Sequence, residues 1–345
     1  FTSFGVVLIL GGPGYSTIEV EIYRQAVQLF NLPMAAALSI IQICFNFFLM
    51  WLHARLSKKS KVSFFSDTPT ANITGEESFF QKINIWGNIA FMLTLLILPL
   101  AALLLSSFTG ENGFTLAYYK QLLFGESDSL FYVKPISSVA HSIGFALTAM
   151  VFSLVLGISS ATFLASGSKN RTNFWDAFIM LPLATSAVTL GFGYVITLNA
   201  PPLNLRDTLI IVPIAHTLVA FPFVVRCILP SLRQIPDNLR EAACLLGASP
   251  FKVWRLIDLP LIKRAILVGA IFAFSISMGE FGASAFLTRP HTPTMPVAIF
   301  RFLSQPGDLN YGQAMAMSCI LMLVTCSSFW LIGKFSPTEK TRSPQ

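Results

Sequence analysis

Residues 91–108 read FMLTLLILPLAALLLSSF, eighteen positions without one charge. A helix built from such a run is suited to a hydrocarbon layer roughly 30 Å thick, which about 20 apolar residues span. In lipid every backbone amide must bond within its own segment, so a continuous apolar run can form little except a helix. The run is one of a series. Further apolar stretches cover about 32–52, 84–107, 137–165, 174–199, 207–230, 263–288 and 309–333, and residues 1–10 read as the tail of another. Only 11% of the residues are charged, against about 25% in an ordinary soluble domain. A membrane β-barrel would instead show short alternating segments. The expected class is an all-α polytopic membrane protein, a helical bundle with about seven full spans and one partial span.

The formal charge of +7 then has a membrane explanation. With Gln345 placed in the cytoplasm and the spans alternating, 17 of the 23 Lys and Arg residues fall on the cytoplasmic side. That bias orients membrane helices, and no nucleic-acid partner is needed to account for it. The five cysteines are scattered and form no CxxC pair. They read as small buried hydrophobes, with neither a disulfide nor a zinc site implied. The sequons at Asn72–Thr74 and Asn170–Thr172 fall on the cytoplasmic side, where glycosylation is not expected.

The chain also repeats itself. FGVVLILGGPGYSTIEVEIYR (4–24) and FGASAFLTRPHTPTMPVAIFR (281–301) share eight identities in 21 positions at a shift of 277, without a gap. After a two-residue slip, Ala35 and Ser39 fall on Ala314 and Ser318. The chain therefore reads as the end of one unit followed by a second unit of six spans. The first unit would begin on the order of 190 residues before Phe1, making this the C-terminal part of a duplicated protein of about twelve spans.

One polar segment interrupts the second unit. Its longest cytoplasmic loop, 231–262, contains EAACLLGASPFKVWRLIDLP. Pro236-Asp237 is a helix start. Leu239, Ala242, Ala243 and Leu246 share a face at helical spacing. Gly247 is suited to ending that helix. Ser249-Pro250 restarts the chain with a hydroxyl N-cap and Pro at the first position, and a second short helix is expected to end before Leu259-Pro260. Two short helices meeting at a glycine would form a compact knob at the membrane surface.

The order Glu241-Ala242-Ala243, Gly247, then Ile257-x-Leu259-Pro260 resembles the EAA loop of permease subunits in binding-protein-dependent ABC importers. The six-span unit, its duplication, and the segments MGEFGASAFL and TMPVAIFRFL resemble fused two-unit permeases of ferric iron and thiamine importers, of the type I fold. The resemblance implies a bacterial inner-membrane subunit with a cytoplasmic C-terminus. It implies domains at 1–52 (tail of the first permease unit), 53–83 (cytoplasmic linker), 84–333 (complete unit) and 334–345 (cytoplasmic tail). It further implies that the loop is a coupling helix, gripped by a dimer of separate P-loop ATPases that consume ATP–Mg. An extracytoplasmic solute-binding protein would deliver the substrate, ferric iron or thiamine, with a slight preference for iron. The missing first unit, or a second copy, would supply the other coupling loop. The chain has no G-x-x-x-x-G-K-[ST] motif, so it carries no phosphate loop of its own. It is expected to be a transport subunit without enzymatic activity and without a bound cofactor.

Polar groups inside spans are costly and mark function or packing. Glu280, flanked by Gly279 and Gly282, is placed in the fifth span of the second unit as a structural acid or as part of a gate or cation path; its counterpart in the first copy is Ser3. Asn46, Asn88 and Asn199 are candidates for bonds between helices. His141 and His216 read as satisfied interface histidines, and no cluster at metal-ligand spacing appears. The turn GYVITLNAPPLN (193–204) is expected at the outer face, where a binding protein would dock. Two other functional classes make different demands on the residues. An ion-driven secondary transporter would use midplane charges, which are scarce here. A membrane enzyme would need a catalytic constellation, and none is visible.

Overall fold

The computed structural model describes residues 4–59, 79–110, 113–125, 134–167, 169–198 and 208–335. Ser3, the Asn72 sequon, Asn199, the Pro201-Pro202 pair, most of the expected linker and the tail from 336 lie outside the described residues. The chain begins with α1 (Phe4–Leu10), α2 (Ile18–Tyr23) and α3 (Leu32–Lys59). Then follow α4 (Phe79–Phe108), a two-stranded antiparallel hairpin pairing Thr109–Gly110 with Gly113–Phe114, and α5 (Ala117–Phe124). The central body comprises α6 (Ser137–Ser166), α7 (Lys169–Ile179), α8 (Leu181–Ala184), α9 (Ala187–Thr197) and α10 (Ile211–Arg233). The remainder is α11 (Asp237–Leu245), α12 (Pro250–Val253), α13 (Leu259–Gly279), α14 (Ser284–Leu287), α15 (Met295–Leu303) and α16 (Asp308–Phe335).

Six helices are long and apolar enough to cross a membrane, and a seventh candidate is a pair bent by 91°. Three differences from the sequence expectation matter. The run 174–199 is broken: α8 ends at Ala184, Thr185 and Ser186 are extended, and the Ser186 hydroxyl accepts the Val188 amide at 3.3 Å to start α9. The run 263–288 is displaced: its helix starts at Pro250 and stops at Gly279. Helices α3 and α4 overrun the expected linker bounds at 53 and 83, because a helix can extend past the lipid where its side chains turn polar.

The core is a three-helix contact of α6, α10 and α13, filled by Ala161, Leu164, Val224, Ile228, Leu232 and Ile262. By contrast α4 packs on α16 and exposes Trp86, Phe91, Leu95 and Leu98, and Asn88 is exposed as well, not set between helices. An apolar face without protein partners suits a helix whose solvent is lipid.

The two copies of the repeat adopt the same local structure. Helices α2 and α15 start at equivalent positions after extended N-caps, Thr17 (φ −85°, ψ 166°) and Thr294 (φ −81°, ψ 161°). In the slipped register, Ser39 donates to the Ala35 carbonyl at 2.8 Å and Ser318 to the Ala314 carbonyl at 2.8 Å. Equivalent residues also touch each other. Phe4 stacks on Phe281 with centroids 5.4 Å apart, and Tyr23 meets Phe300 edge-on at 6.5 Å. A patch that packs against its own equivalent implies a two-fold relation between the copies.

A surface knob and a cavity on one helix

The loop after α10 builds the knob. Pro236 is extended (ψ 135°) and ends the run from α10, after which α11 begins at Asp237. α11 closes in a Schellman motif: the Gly247 amide donates to Cys244 at 2.9 Å and the Ala248 amide to Ala243 at 3.0 Å. Gly247 takes φ +80°, which a β-carbon would strain, so glycine is required here. Ser249 is extended before Pro250 as expected, but its hydroxyl makes no capping bond.

The second helix of the knob does not end before Leu259-Pro260. Pro260 cannot donate to a carbonyl one turn back and would clash with it. The preceding turn, Trp254–Asp258, widens to π geometry, with Leu259 donating to the Trp254 carbonyl. The helix therefore passes through the proline. Pro250–Gly279 forms one span of 30 residues, roughly 45 Å at 1.5 Å per residue. The motif residues are thus divided. Glu241, Ala242 and Gly247 are exposed on the knob and Ala243 is half-buried, whereas Ile257, Leu259 and Pro260 form the root of α13.

No residue of α11 is buried within the described structure. Leu245 and Leu246 are 89% and 90% exposed, and Phe251 and Leu256 stand out of the adjoining turns. Leucines this bare beside Glu241 make an unpartnered amphipathic surface. Arg240 ties the knob down. Its Nε donates to Asp258 Oδ1 at 2.9 Å, its Nη1 to Asp237 Oδ1 at 3.1 Å, and its Nη2 to the Leu232 carbonyl at 3.4 Å. Asp258 is buried at 8% exposure. One guanidinium therefore joins α11, the end of α10 and the root of α13. The signal that could have found it is Asp258, an acid at the edge of an apolar span.

The far end of α13 meets a cavity of about 390 Å³ lined by residues of α1, α2 and α3 on one side and of α8, α9 and α10 on the other. Both broken spans contribute their breaks to it, Pro182–Val188 from one and Gly279–Gly282 from the other. Irregular backbone at such a depth is tolerated where it lines a cavity. Glu280 sits past the last helical residue with ψ 113°, not inside a continuous span, and its Oε1 accepts the Ala283 amide at 3.0 Å. The structural reason is the break itself, which frees backbone donors that a carboxylate can satisfy. Gly282 is close-packed: a β-carbon there would lie 3.1 Å from Val188, whereas one at Gly279 would meet nothing within 4 Å beyond its chain neighbours and its own helix backbone among the described residues.

A second carboxylate that sequence reading passed over also lines the cavity. Glu19 of α2 is 3% exposed and accepts from Gln42 Nε2 at 3.2 Å, while Thr189 donates to Gln42 Oε1 at 2.8 Å. Asn46 is buried and lines the same space. Among the described lining residues none is Lys, Arg or His. Nothing in the order of residues pairs Glu19 with Glu280, because 261 positions of chain separate them. Beside the cavity lies the aromatic cluster: Phe281 packs on Phe300 at 5.4 Å, and Tyr23 on Phe4 at 5.6 Å and on Phe286 at 5.5 Å.

The chain is similar to several transport proteins. PhnV of Salmonella typhimurium, named for a 2-aminoethylphosphonate transport system, is 30% identical over 66% of this chain and 84% of its own length. The molybdenum transport system permease protein ModB of Haemophilus influenzae is 32% identical over 54% of this chain and 88% of its own. The thiamine transport system permease protein ThiP of Brucella abortus is 26% identical over 98% of this chain, which spans 60% of ThiP. A crystal structure of a bacterial ABC transporter involved in import of the acidic polysaccharide alginate has the same fold, with a TM-score of 0.58 at 16% identity over 74% of this chain and 96% of that one. Residues 153–340 match the binding-protein-dependent transport system inner membrane component family, a stretch that holds the knob, all of α13 and the second-copy side of the cavity. The chain belongs to that family: it is a multi-span permease subunit of an ABC importer of the type I fold, located in the inner membrane.

Proposed function

We propose that this subunit carries a small cation, thiamine in the first instance, through a path between two permease units. Glu19 and Glu280, which line one cavity without a Lys, Arg or His among the described lining residues, are the observation that carries this reading. Such a surface favours positive charge and disfavours an oxyanion. The match to ThiP supports it, because it runs through both copies of the repeat, whereas those to PhnV and ModB cover less of the chain. Ferric iron shares the charge argument, but two carboxylates are few oxygen ligands for a hard trivalent ion. The cavity therefore favours thiamine over the iron that the sequence motifs slightly preferred.

In this mechanism the knob is the handle of the machine. Leu245, Leu246 and Phe251 enter a groove of a P-loop ATPase, one of a pair that consumes ATP–Mg; this chain holds no cofactor itself. Glu241, Ala242, Ala243 and Gly247 shape the docking surface, and Ile257, Leu259 and Pro260 root it in the span. Movement of the knob shifts α13 along its length and changes access to the cavity at Gly279, Glu280 and Gly282. The knob and the C-terminus face the cytoplasm, the turn near 193–204 faces a solute-binding protein outside, and residues 1–52 and 84–333 belong to successive permease units. A further unit, or a second copy, completes the path. The test is uptake of radiolabelled thiamine and of ferric iron by cells with and without the transporter. ATP-dependent thiamine uptake, competed by excess thiamine but not by molybdate, is expected. Uptake of an oxyanion, or uptake driven by an ion gradient without ATP, would sink the reading.

A further inference from the structure

His216 of α10 is 1% exposed, and both of its ring nitrogens are engaged. Nδ1 lies 2.7 Å from Ser277 Oγ and Nε2 lies 2.8 Å from Ser284 Oγ. Ser277 is in the last turn of α13, and Ser284 is the first residue of α14. The two serines therefore lie on opposite sides of the break at Glu280, and one imidazole from a third helix holds both. A neutral imidazole has one donor and one acceptor, so one serine accepts from the ring N–H while the other donates to the bare nitrogen. Ser277 and Ser284 are 3% and 0% exposed, so no bulk water can replace either bond.

Apart from that imidazole, the side-chain bond across the break is the Glu280 carboxylate on the Ala283 amide at 3.0 Å, which ties Glu280 only to the residue before α14. The helical ladder of α13 ends with Glu280 donating to Ser277 at 3.3 Å. Beyond it come an extended Glu280, then Phe281 and a turn at Gly282 and Ala283, before a helix of four residues. Movement of α13 would be absorbed at those backbone dihedrals before reaching Phe281 and Phe286 of the aromatic cluster. α10 offers a stable anchor, since Val212 and Ala215 are buried in one cluster with Ala283 and Leu287.

We propose that His216 is a positioning residue that latches the two sides of the break, so that displacement of α13 reaches the aromatic cluster undiminished. The inference rests on the ATP-driven reading above, which supplies the displacement. The test uses the complete transporter with its ATPase in lipid, comparing wild type with His216→Ala and His216→Gln. Gln keeps a donor and an acceptor at the end of its side chain. The expected result for His216→Ala is ATP hydrolysis within twofold of wild type and thiamine uptake per ATP lowered about tenfold, with His216→Gln recovering most of it. Spin labels at Leu261→Cys and His291→Cys, in a background lacking the native cysteines, report the α13–α14 geometry without any substrate. They should give a single narrow distance in wild type and a distribution at least twofold broader in His216→Ala. If His216→Ala does not fold, Ser277→Ala and Ser284→Ala each remove half of the latch, and the pair should reproduce the broad distribution. Uptake and hydrolysis falling in proportion, or label distances unchanged by every one of these substitutions, would overturn the latch. A wild-type complex that hydrolyses no ATP, but keeps the narrow distance that His216→Ala broadens, would sink the ATP-driven reading and leave the latch standing.

Discussion

The two ends of the span Pro250–Gly279 are built by opposite physics. At the knob end, Arg240 and Asp258 form a charged joint beside leucines about nine-tenths exposed. At the cavity end, His216 and two serines form a neutral joint with almost no exposure. A handle that binds and releases a water-soluble partner must keep its contact surface bare, so its rigidity comes from a guanidinium that tolerates water. A joint within the bundle has no water to satisfy lost bonds, so it uses groups that can be fully paired without net charge. The difference shows how one continuous span can serve a wet surface and a dry interior, provided that each end is tied to its neighbours by bonds suited to its own environment.

That contrast can be broken at several points. The largest effect is expected from Leu245→Asp with Leu246→Asp. Co-purification of the ATPase should weaken at least 100-fold, about 3 kcal/mol, while the thermal midpoint of the permease alone stays unchanged, since both side chains are exposed. An equal loss of thermal stability would show that the knob is packed on its own bundle instead. Next comes the dry end. A β-carbon at Gly191 would lie 2.8 Å from the Ala283 Cα, so Gly191→Val should cost about 3 kcal/mol, read as a lower unfolding temperature in detergent. Tolerance of valine there would mean that α9 and the break are not in close contact.

Arg240→Met sharpens the comparison from the wet end. It leaves the Asp258 carboxylate without its cation and should cost about 2 kcal/mol. Adding Asp258→Asn should return part of that loss, because no charge then remains buried. A double variant worse than the single one would argue against the joint. The smallest effect is expected at Ser249→Ala. A capping serine is worth about 1 kcal/mol, but this hydroxyl makes no capping bond. The change should therefore stay within about 0.5 kcal/mol by chemical denaturation in micelles, and a larger loss would show that this hydroxyl does cap the helix.

Much of this architecture was legible in the order of residues, and the reasons differ from one feature to the next. The spans could be read because hydrocarbon demands a long apolar run whatever packs beside it. The knob could be read because Pro236, Gly247 and Pro250 act on their own backbone. The repeat could be read because Phe4, Gly5 and Arg24 recur as Phe281, Gly282 and Arg301. Two local rules misled. Hydropathy carried the sixth run on to 288, where the helix stops at Gly279, because Ala283–Leu287 remain apolar beyond the break. The proline at 260 suggested a helix end, where a π turn lets the helix continue.

The sequence alone determined that the chain crosses a membrane repeatedly, that it repeats a unit, and where its polar loop turns, since these depend on transfer free energy and on local backbone sterics. Only the tertiary structure decided that Arg240 meets Asp258, that His216 bridges Ser277 and Ser284, and that Glu19 and Glu280 share one cavity. Those pairings are set by how helices cross, and a crossing depends on the packing of side chains that are distant in sequence.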